Sequence, residues 1–168
     1  FSISDTGVLA FQSSSNPGRL AWLDRSGAPI DAPPAAGGRP ALSPDETRII
    51  VQRRDPQTNN QDLWLIDRSR GTEARFTFDP ADDGWPMFSP DGQQVVFSST
   101  RTGSALIYLK RASGDGVEEV LTGARGADPD WSLDGRFILY QSGGHPTTGF
   151  DLWAVPLAGD RTPFPVAR

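Results

Sequence analysis

Three places in the chain set an apolar residue ahead of a serine, a proline or leucine, and an aspartate: Ser43-Pro44-Asp45-Glu46 after Leu42, Ser89-Pro90-Asp91-Gly92 after Phe88 and Ser132-Leu133-Asp134-Gly135 after Trp131. A hydroxyl beside a carboxylate is material for nucleophilic chemistry, but a hydrolase also needs a base to take the hydroxyl proton. The only histidine is His145, in Gly143-Gly144-His145-Pro146-Thr147, and there is no Gly-x-Ser-x-Gly. A lone histidine between glycines and a proline reads as a solvent-facing loop residue, so no catalytic residue is assigned. Zinc chemistry fails for want of ligands, since one histidine and no cysteine cannot build the usual tetrahedral set. Calcium is better served, because Asp79, Asp82, Asp83, Asp128 and Asp130 offer the oxygen ligands a hard cation prefers. Their spacing matches neither an EF-hand loop nor the Ser-x-Asp-x-Gly of an Asp-box. They read as solvated or hairpin-capping groups; no cofactor is expected, and calcium is the one alternative. Gly114-Asp115-Gly116 lacks a third glycine and runs into Glu118-Glu119, which would repel a phosphate, so it reads as a hairpin turn.

Charge narrows the partners. Sixteen basic and 21 acidic residues leave a net charge of −5, which disfavours duplex nucleic acid or an anionic membrane surface. The basic spots Arg53-Arg54 and Arg68-Ser69-Arg70 read as solvated turns. No apolar run approaches the roughly 18–20 residues that span a bilayer, and Phe1-Ser2-Ile3-Ser4-Asp5 lacks the basic-then-apolar layout of a signal peptide. Without cysteine there is no disulfide framework and no thiolate, and the redox compartment goes unread.

Ser43, Ser89 and Ser132 are markers of a repeat. Ser43 and Ser89 stand 46 residues apart, Ser89 and Ser132 stand 43 apart, and a decayed copy, Ile3-Ser4-Asp5-Thr6-Gly7, places Ser4 39 residues before Ser43 with a turn one residue shorter. Each copy leads into an apolar run: Val8-Leu9-Ala10-Phe11, Ile49-Ile50-Val51, Val95-Val96-Phe97 and Phe137-Ile138-Leu139-Tyr140. A second apolar segment follows, in which Trp22, Trp64, Tyr108 and Trp153 are read as equivalent. A short edge-like segment closes each unit, as in Ala74-Arg75-Phe76-Thr77 or Glu119-Val120-Leu121. Short β-branched and aromatic runs bounded by Gly, Pro, Asp and Asn predict four strands per unit and no helix. The middle runs are continuously apolar, as in a sheet covered on both faces. Within the repeated tetrad, Pro presets the first corner, Asp can bond the backbone two residues on, and Gly accepts positive φ. The tetrad therefore closes a hairpin, and ring symmetry would hold the four aspartates apart. A forty-odd-residue period of this kind predicts an all-β protein, a β-propeller built of four-stranded antiparallel blades with four blades per chain. Residues 1–168 then form a single propeller domain or half-propeller, with blades at about 1–34, 35–79, 80–124 and 125–168.

With those residues quoted, the chain resembles the PD40, or WD40-like, repeats of TolB-like propellers, whose unit runs from apolar-Ser-Pro-Asp-Gly to Asp-Leu-Trp. Asp62-Leu63-Trp64-Leu65 and Asp151-Leu152-Trp153-Ala154 match the third-strand signature, whereas Ala105-Leu106-Ile107-Tyr108 keeps only the aromatic. Phe1 to Ala10 and Arg54 to Trp64 also resemble propellers carried C-terminal to bacterial serine/threonine kinases, although no kinase motif is present. The resemblance implies that ligands sit at the face where the innermost strands enter. The loops there are Gly37-Gly38-Arg39, Asp82-Asp83-Gly84-Trp85 and Arg125-Gly126-Ala127-Asp128, together with 53–61, 100–104 and 143–149. Arg39, Asp83, Trp85, Arg101, Asp128 and His145 are the candidate binding residues. The resemblance implies a non-catalytic protein- or peptide-binding or assembly scaffold, a sensor or interaction region of a larger protein, in a periplasmic or extracytoplasmic setting. A hydrolase, or a propeller gating one, is the alternative. A linear row of blades would leave two apolar faces in water, which three arrangements cover: the four blades closing on themselves, two copies pairing into an eight-bladed ring, or further blades supplied by flanking sequence. Of these the homo-oligomeric eight-bladed ring is the expectation.

Overall fold

A computed structural model describes residues 2–4, 7–12, 20–30, 36–121, 123, 125–145 and 149–167. The expectations placed on Asp5, Thr6 and 146–148 lie outside them. The described residues are all-β, without helix, and so contain no helix long and apolar enough to cross a membrane. The chain divides into two compact units, Phe1–Pro86 and Met87–Arg168, each taken by itself below.

The first unit holds a three-stranded sheet, β1 (Ser2–Ile3), β2 (Leu9–Gln12) and β3 (Leu20–Leu23), in that order. Beside it lies a four-stranded sheet of β4 (Gly38–Leu42), β5 (Arg48–Arg54), β6 (Gln61–Asp67) and β7 (Thr72–Arg75), again in sequential order. A third sheet, β8 (Asp83–Phe88), β9 (Gln94–Ser99), β10 (Leu106–Arg111) and β11 (Glu119–Val120), has the unit boundary within its first strand. In the second unit stands β12 (Ala127–Trp131), β13 (Phe137–His145), β14 (Gly149–Pro156) and β15 (Phe164–Ala167). Among the described residues the strand pairings are antiparallel, and the three four-stranded sheets resemble propeller blades.

Packing follows the apolar runs. In the first unit Ala10, Leu20 and Trp22 of the first sheet bury against Leu42, Ile49, Val51 and Ile66 of the second. In the second unit Val96, Ile107, Leu109 and Leu121 bury against Ile138, Tyr140 and Val155. Ile49-Ile50-Val51 and Val95-Val96-Phe97 are buried on both faces of their strands, as their unbroken apolar pattern requires.

The serine turns are held by a repeated set of bonds. Ser43, Ser89 and Ser132 each accept the N–H five residues on, from Arg48, Gln94 and Phe137, at 2.9 Å. Each hydroxyl donates to the aspartate two residues on, at 2.6, 2.5 and 2.7 Å. Each aspartate in turn accepts the N–H two residues beyond itself, from Thr47, Gln93 and Arg136. Glu46, Gly92 and Gly135 take the positive φ, at 59°, 69° and 68°. Ser4 does the same work over a shorter span, accepting Val8 N–H at 2.9 Å only four residues away. The tetrad is therefore a turn, and its serine, which the turn rules alone left without a task, is its hub.

The serine hydroxyl, ahead of other causes, holds the Asp45 and Asp91 carboxyls below their ordinary range and brings Asp134 down to about 2. A carboxylate depressed in the folded state adds stability that is complete above its unfolded value and drains away as pH falls through the folded one. Ser89→Ala leaves the Gln94 N–H and the Asp91 carboxylate without their shared partner, and is expected to cost about 1–2 kcal/mol at neutral pH. Denaturant titrations from about pH 5 down to about pH 2 should show the variant losing less stability on acidification than the wild type. An unchanged acid slope would refute the assignment.

Slippage in the first sheet corrects one expectation. Trp64, Tyr108 and Trp153 lie opposite Val51, Phe97 and Tyr140, each eight residues past its serine. Trp22 lies opposite Ala10, one place off the equivalent pairing, which falls between Phe11 and Ala21. A one-residue shift turns a side chain to the other face, and Trp22 is accordingly buried where Trp64 is half-buried. Turn chemistry agrees: Asp24 and Asp67, equivalent once the shift is allowed, accept the N–H and hydroxyl of Ser26 and Ser69 at 2.6–2.9 Å.

Candidate binding site

Of the residues expected in loops at the entry of the innermost strands, Gly38-Arg39, Asp83-Gly84-Trp85 and Ala127-Asp128 are in fact the first residues of those strands, and β4 and β12 open on a bulge. Gly38 pairs with Gln52, and the next pairing, Ala41 with Ile50, consumes three residues on one side and two on the other. Ala127 with Gln141 followed by Asp130 with Leu139 repeats that slip in the second unit. One extra residue in a strand bends it and re-aims a side chain. The extra residues are Arg39 and Asp128, both in the left-handed region, with φ of 46° and 54°. Trp85, at φ 58°, stands at the same place, four residues before its serine. Non-glycine residues adopt this conformation only where their surroundings impose it.

Space is what imposes it. Two residues ahead of Arg39 and Asp128 lie Gly37 and Gly126, packed on Val51 and Tyr140, eight residues past their serines. A Cβ on Gly37 would stand 2.7 Å from Val51 Cγ2, and one on Gly126 would stand 2.5 Å from Tyr140 Cδ2. The third repeat carries Asp83 at this place, and Asp83 is fully buried. Expected to line an exposed mouth, it lies buried instead, at the position that Gly37 and Gly126 hold in the other two repeats.

In the first unit the structure brings two candidates together. The Arg39 guanidinium carbon lies 3.0 Å over the centroid of the Trp85 ring, a cation–π contact. The backbone N–H of Trp85 donates to Gln52 Oε1 at 3.3 Å, and Gln61 Nε2 donates to the backbone carbonyl of Asp83 at 3.3 Å, so side chains of β5 and β6 hold the indole-bearing strand. Asp82 accepts the Gln61 N–H at 2.8 Å and faces Arg54 at 3.7 Å.

In the second unit Asp128 Oδ2 accepts from Gln141 Nε2 at 3.3 Å. Beside it opens a cleft of about 350 Å³ lined by Ser104, Arg125, Gly126, Gln141, Gly143 and the exposed Phe150. Arg101 is turned elsewhere. Its guanidinium pairs with Glu118, donates to Ser99 Oγ at 2.8 Å and lies 4.4 Å from the Tyr108 ring centroid. His145, read as a loop residue, is the last residue of β13 and pairs with Gly149 across a register shift. Backbone pairing carries the strand through Gly143-Gly144, which the glycines had signalled as a loop.

Among the described residues no three carboxylate or imidazole groups gather where they could hold a metal ion. Asp79 accepts the Ala81 N–H at 2.9 Å and Asp130 its neighbour's N–H at 2.8 Å, each serving its own turn.

The TolB beta propeller domain family, PD40, matches residues 26–155. Over 108 residues the chain is 30% identical to the uncharacterized peptidase YuxL of Bacillus subtilis, covering 60% of this chain and 16% of that protein. It is 28% identical over 110 residues to tricorn protease homolog 1 of Streptomyces coelicolor, covering 61% and 10%. An uncharacterized protein of Agrobacterium fabrum is 36% identical over 70 residues, covering 42% and 23%. The chain thus spans less than a quarter of each of these relatives. Among solved structures it matches TolB from Acinetobacter baumannii with a TM-score of 0.82 at 20% identity, over 99% of this chain and 42% of that one. Putative TolB from Agrobacterium tumefaciens matches with a TM-score of 0.75 at 19% identity, over 94% and 59%. These likenesses speak for the fold, and the family match, which takes in well over half of the residues, for membership: the chain belongs to the TolB β-propeller domain family.

Proposed function

We propose that this chain is a non-catalytic protein- or peptide-binding scaffold that displays its ligand contacts from the bulges of its innermost strands. One observation carries the reading. Three successive repeats keep the same left-handed position, four residues before the serine, while filling it with an arginine, a tryptophan and an aspartate. A fixed backbone presenting chemically different side chains suits recognition, where geometry is general and the contact is particular. Arg39, Trp85 and Asp128 are the primary contacts of this reading. Arg101 and His145 are secondary, and Asp83 acts by supporting the strand that carries Trp85. The test replaces Trp85 and Asp128 with alanine and measures a partner captured by the wild-type chain. Partner binding should fall about tenfold or more for a buried aromatic contact, and unchanged capture by both variants would overturn the reading.

For the whole assembly, we infer blades at about 1–34, 35–79, 80–124 and 125–168, and two copies closing an eight-bladed ring. The apolar faces of a row of blades support closure. Light scattering at micromolar concentration should give twice the 18.1 kDa chain mass, and a monomer mass rules the ring out.

The relatives named as a peptidase and a tricorn protease homolog favour a second reading, a propeller that gates a hydrolase domain carried elsewhere. Turnover of peptide substrates by the chain alone would count against both readings.

A further inference from the structure

In a chain with 21 acidic and 16 basic side chains, an arginine with no carboxylate beside it runs against the numbers. Eight arginines among the described residues lie within 4 Å of a carboxylate, Arg53 with Glu73 and Arg101 with Glu118 among them. Arg39 has no such partner among the described residues. It is exposed, and its guanidinium lies over the Trp85 ring.

That contact is built. Both residues sit in the left-handed region, a conformation that costs free energy in a side-chain-bearing residue. The strand beneath Trp85 is tied to β5 and β6 through Gln52 and Gln61. Gly84, between Asp83 and Trp85, is hemmed in by the same two side chains, with Gln61 Nε2 2.9 Å and Gln52 Oε1 3.0 Å from where a Cβ would stand. A guanidinium stacked by its face on an indole keeps its N–H donors in its own plane, clear of the ring. That edge is the fork that pairs bidentately with a carboxylate. Stacking also removes much of the rotamer freedom that a solvent-exposed arginine would otherwise lose on binding. A polyanion is disfavoured by the net charge of −5; a single carboxylate is not.

The geometry points to Arg39, braced on Trp85, as a carboxylate-reading site for an acidic segment of a protein partner. This rests on the binding reading above and adds the chemistry of the ligand to it. The carboxylate has two possible sources, an Asp or Glu side chain or the α-carboxylate of a chain end.

A phage-displayed library of random dodecapeptides, selected on the full 168-residue chain, tests the site without presupposing a partner. Enriched peptides, synthesised with free and with amidated C-termini, are then titrated against wild type, Arg39→Gln, Arg39→Lys and the control Arg111→Gln, with thermal melts checking that each variant folds. Enriched peptides should carry Asp or Glu. Arg39→Gln should weaken them about tenfold or more, Arg39→Lys by less because the charge remains without the fork, and Arg111→Gln by under about twofold. Loss on amidation assigns the chain-end carboxylate, and indifference to it the side chain. Peptides that bind Arg39→Gln as well as wild type, that lack acidic residues, or that yield to inorganic phosphate overturn the carboxylate site and leave the binding reading standing. Enrichment of no peptide at all overturns the binding reading itself.

Discussion

Truncating Phe97 to alanine lowers the stability of the chain by about 3–5 kcal/mol, the largest loss expected of any core substitution considered. Phe97 is fully buried in the second unit and stacks on Tyr108 with ring centroids 5.8 Å apart and planes 24° from parallel. Its removal forfeits the transfer free energy of a benzyl group and leaves a void that a sheet, pinned by its ladder of hydrogen bonds, cannot close. The aromatic pair adds a share beyond burial, about 0.5–1.5 kcal/mol. Tyr108 loses the ring it lies against while keeping Arg101 at 4.4 Å on its face. Differential scanning calorimetry should show the midpoint falling by roughly 6–20 °C, taking 2–4 °C per kcal/mol for a chain of this size. Phe97→Leu, which keeps most of the volume, should cost under about 2 kcal/mol. Equal losses for the two variants would mean that packing volume is not what Phe97 supplies.

Removing Arg75 is expected to cost nearly as much, for a different reason. Asp62 opens the Asp-Leu-Trp segment and its carboxylate is 4% exposed, 2.7 Å from the guanidinium of Arg75 on the neighbouring outer strand. Asn60 Nδ2 donates to the same carboxylate at 3.2 Å. Arg75→Ala strands a buried anion with one amide for company, and stranding one member of a buried pair costs about 3–5 kcal/mol. The guanidinium is one-third exposed, which moves the expected loss to the low end, about 2–3 kcal/mol. Arg70→Ala, which breaks a pair 77% exposed on the arginine side, should cost less than about 0.5 kcal/mol. Asp62→Asn combined with Arg75→Ala should recover most of the loss, because no charge is left to desolvate. Urea titrations of the four proteins decide the matter. A double variant as unstable as Arg75→Ala alone would place the cost in lost packing of the arginine stem.

The sheets were legible because their signals are local. Ser43, Ser89 and Ser132 sit at turns whose hydrogen bonds close within five residues. Ile49-Ile50-Val51 and Val95-Val96-Phe97 after the first two are fully buried, and in the run after the third Ile138 and Tyr140 are buried while Phe137 and Leu139 are half-buried. The family resemblance rested on the same short segments, and the family match bears it out. What escaped depends on pairs of residues far apart in the chain. Arg101 was read by its loop, but Glu118, 17 residues on, claims its guanidinium. Trp22 was aligned by its aromatic ring, whereas the register obeys a turn one residue shorter; the Asp-x-Ser shared by Asp24 and Asp67 was the signal that could have corrected it. The left-handed backbone at Arg39, Trp85 and Asp128 had a signal too, the small residues Gly37 and Gly126 each six positions before a serine. Asp83 at the third such position hid the pattern. His145 lies in a strand because backbone pairing extends β13 through two glycines that, by propensity alone, should have ended it.

The serine-centred turn has a consequence for how this chain tolerates change. It fastens the first two strands of each sheet at one end, counting the register from there, so residues added beyond the opposite end of the hairpin lengthen a loop without moving any paired side chain to the wrong face. Serine-to-serine distances of 39, 46 and 43 residues are the visible result. The pairings up to eight residues past Ser43, Ser89 and Ser132 stay in step while the far loops drift in length. Evolution could thus rewrite the free ends, where ligands would be met, while the fastened ends kept every sheet in phase.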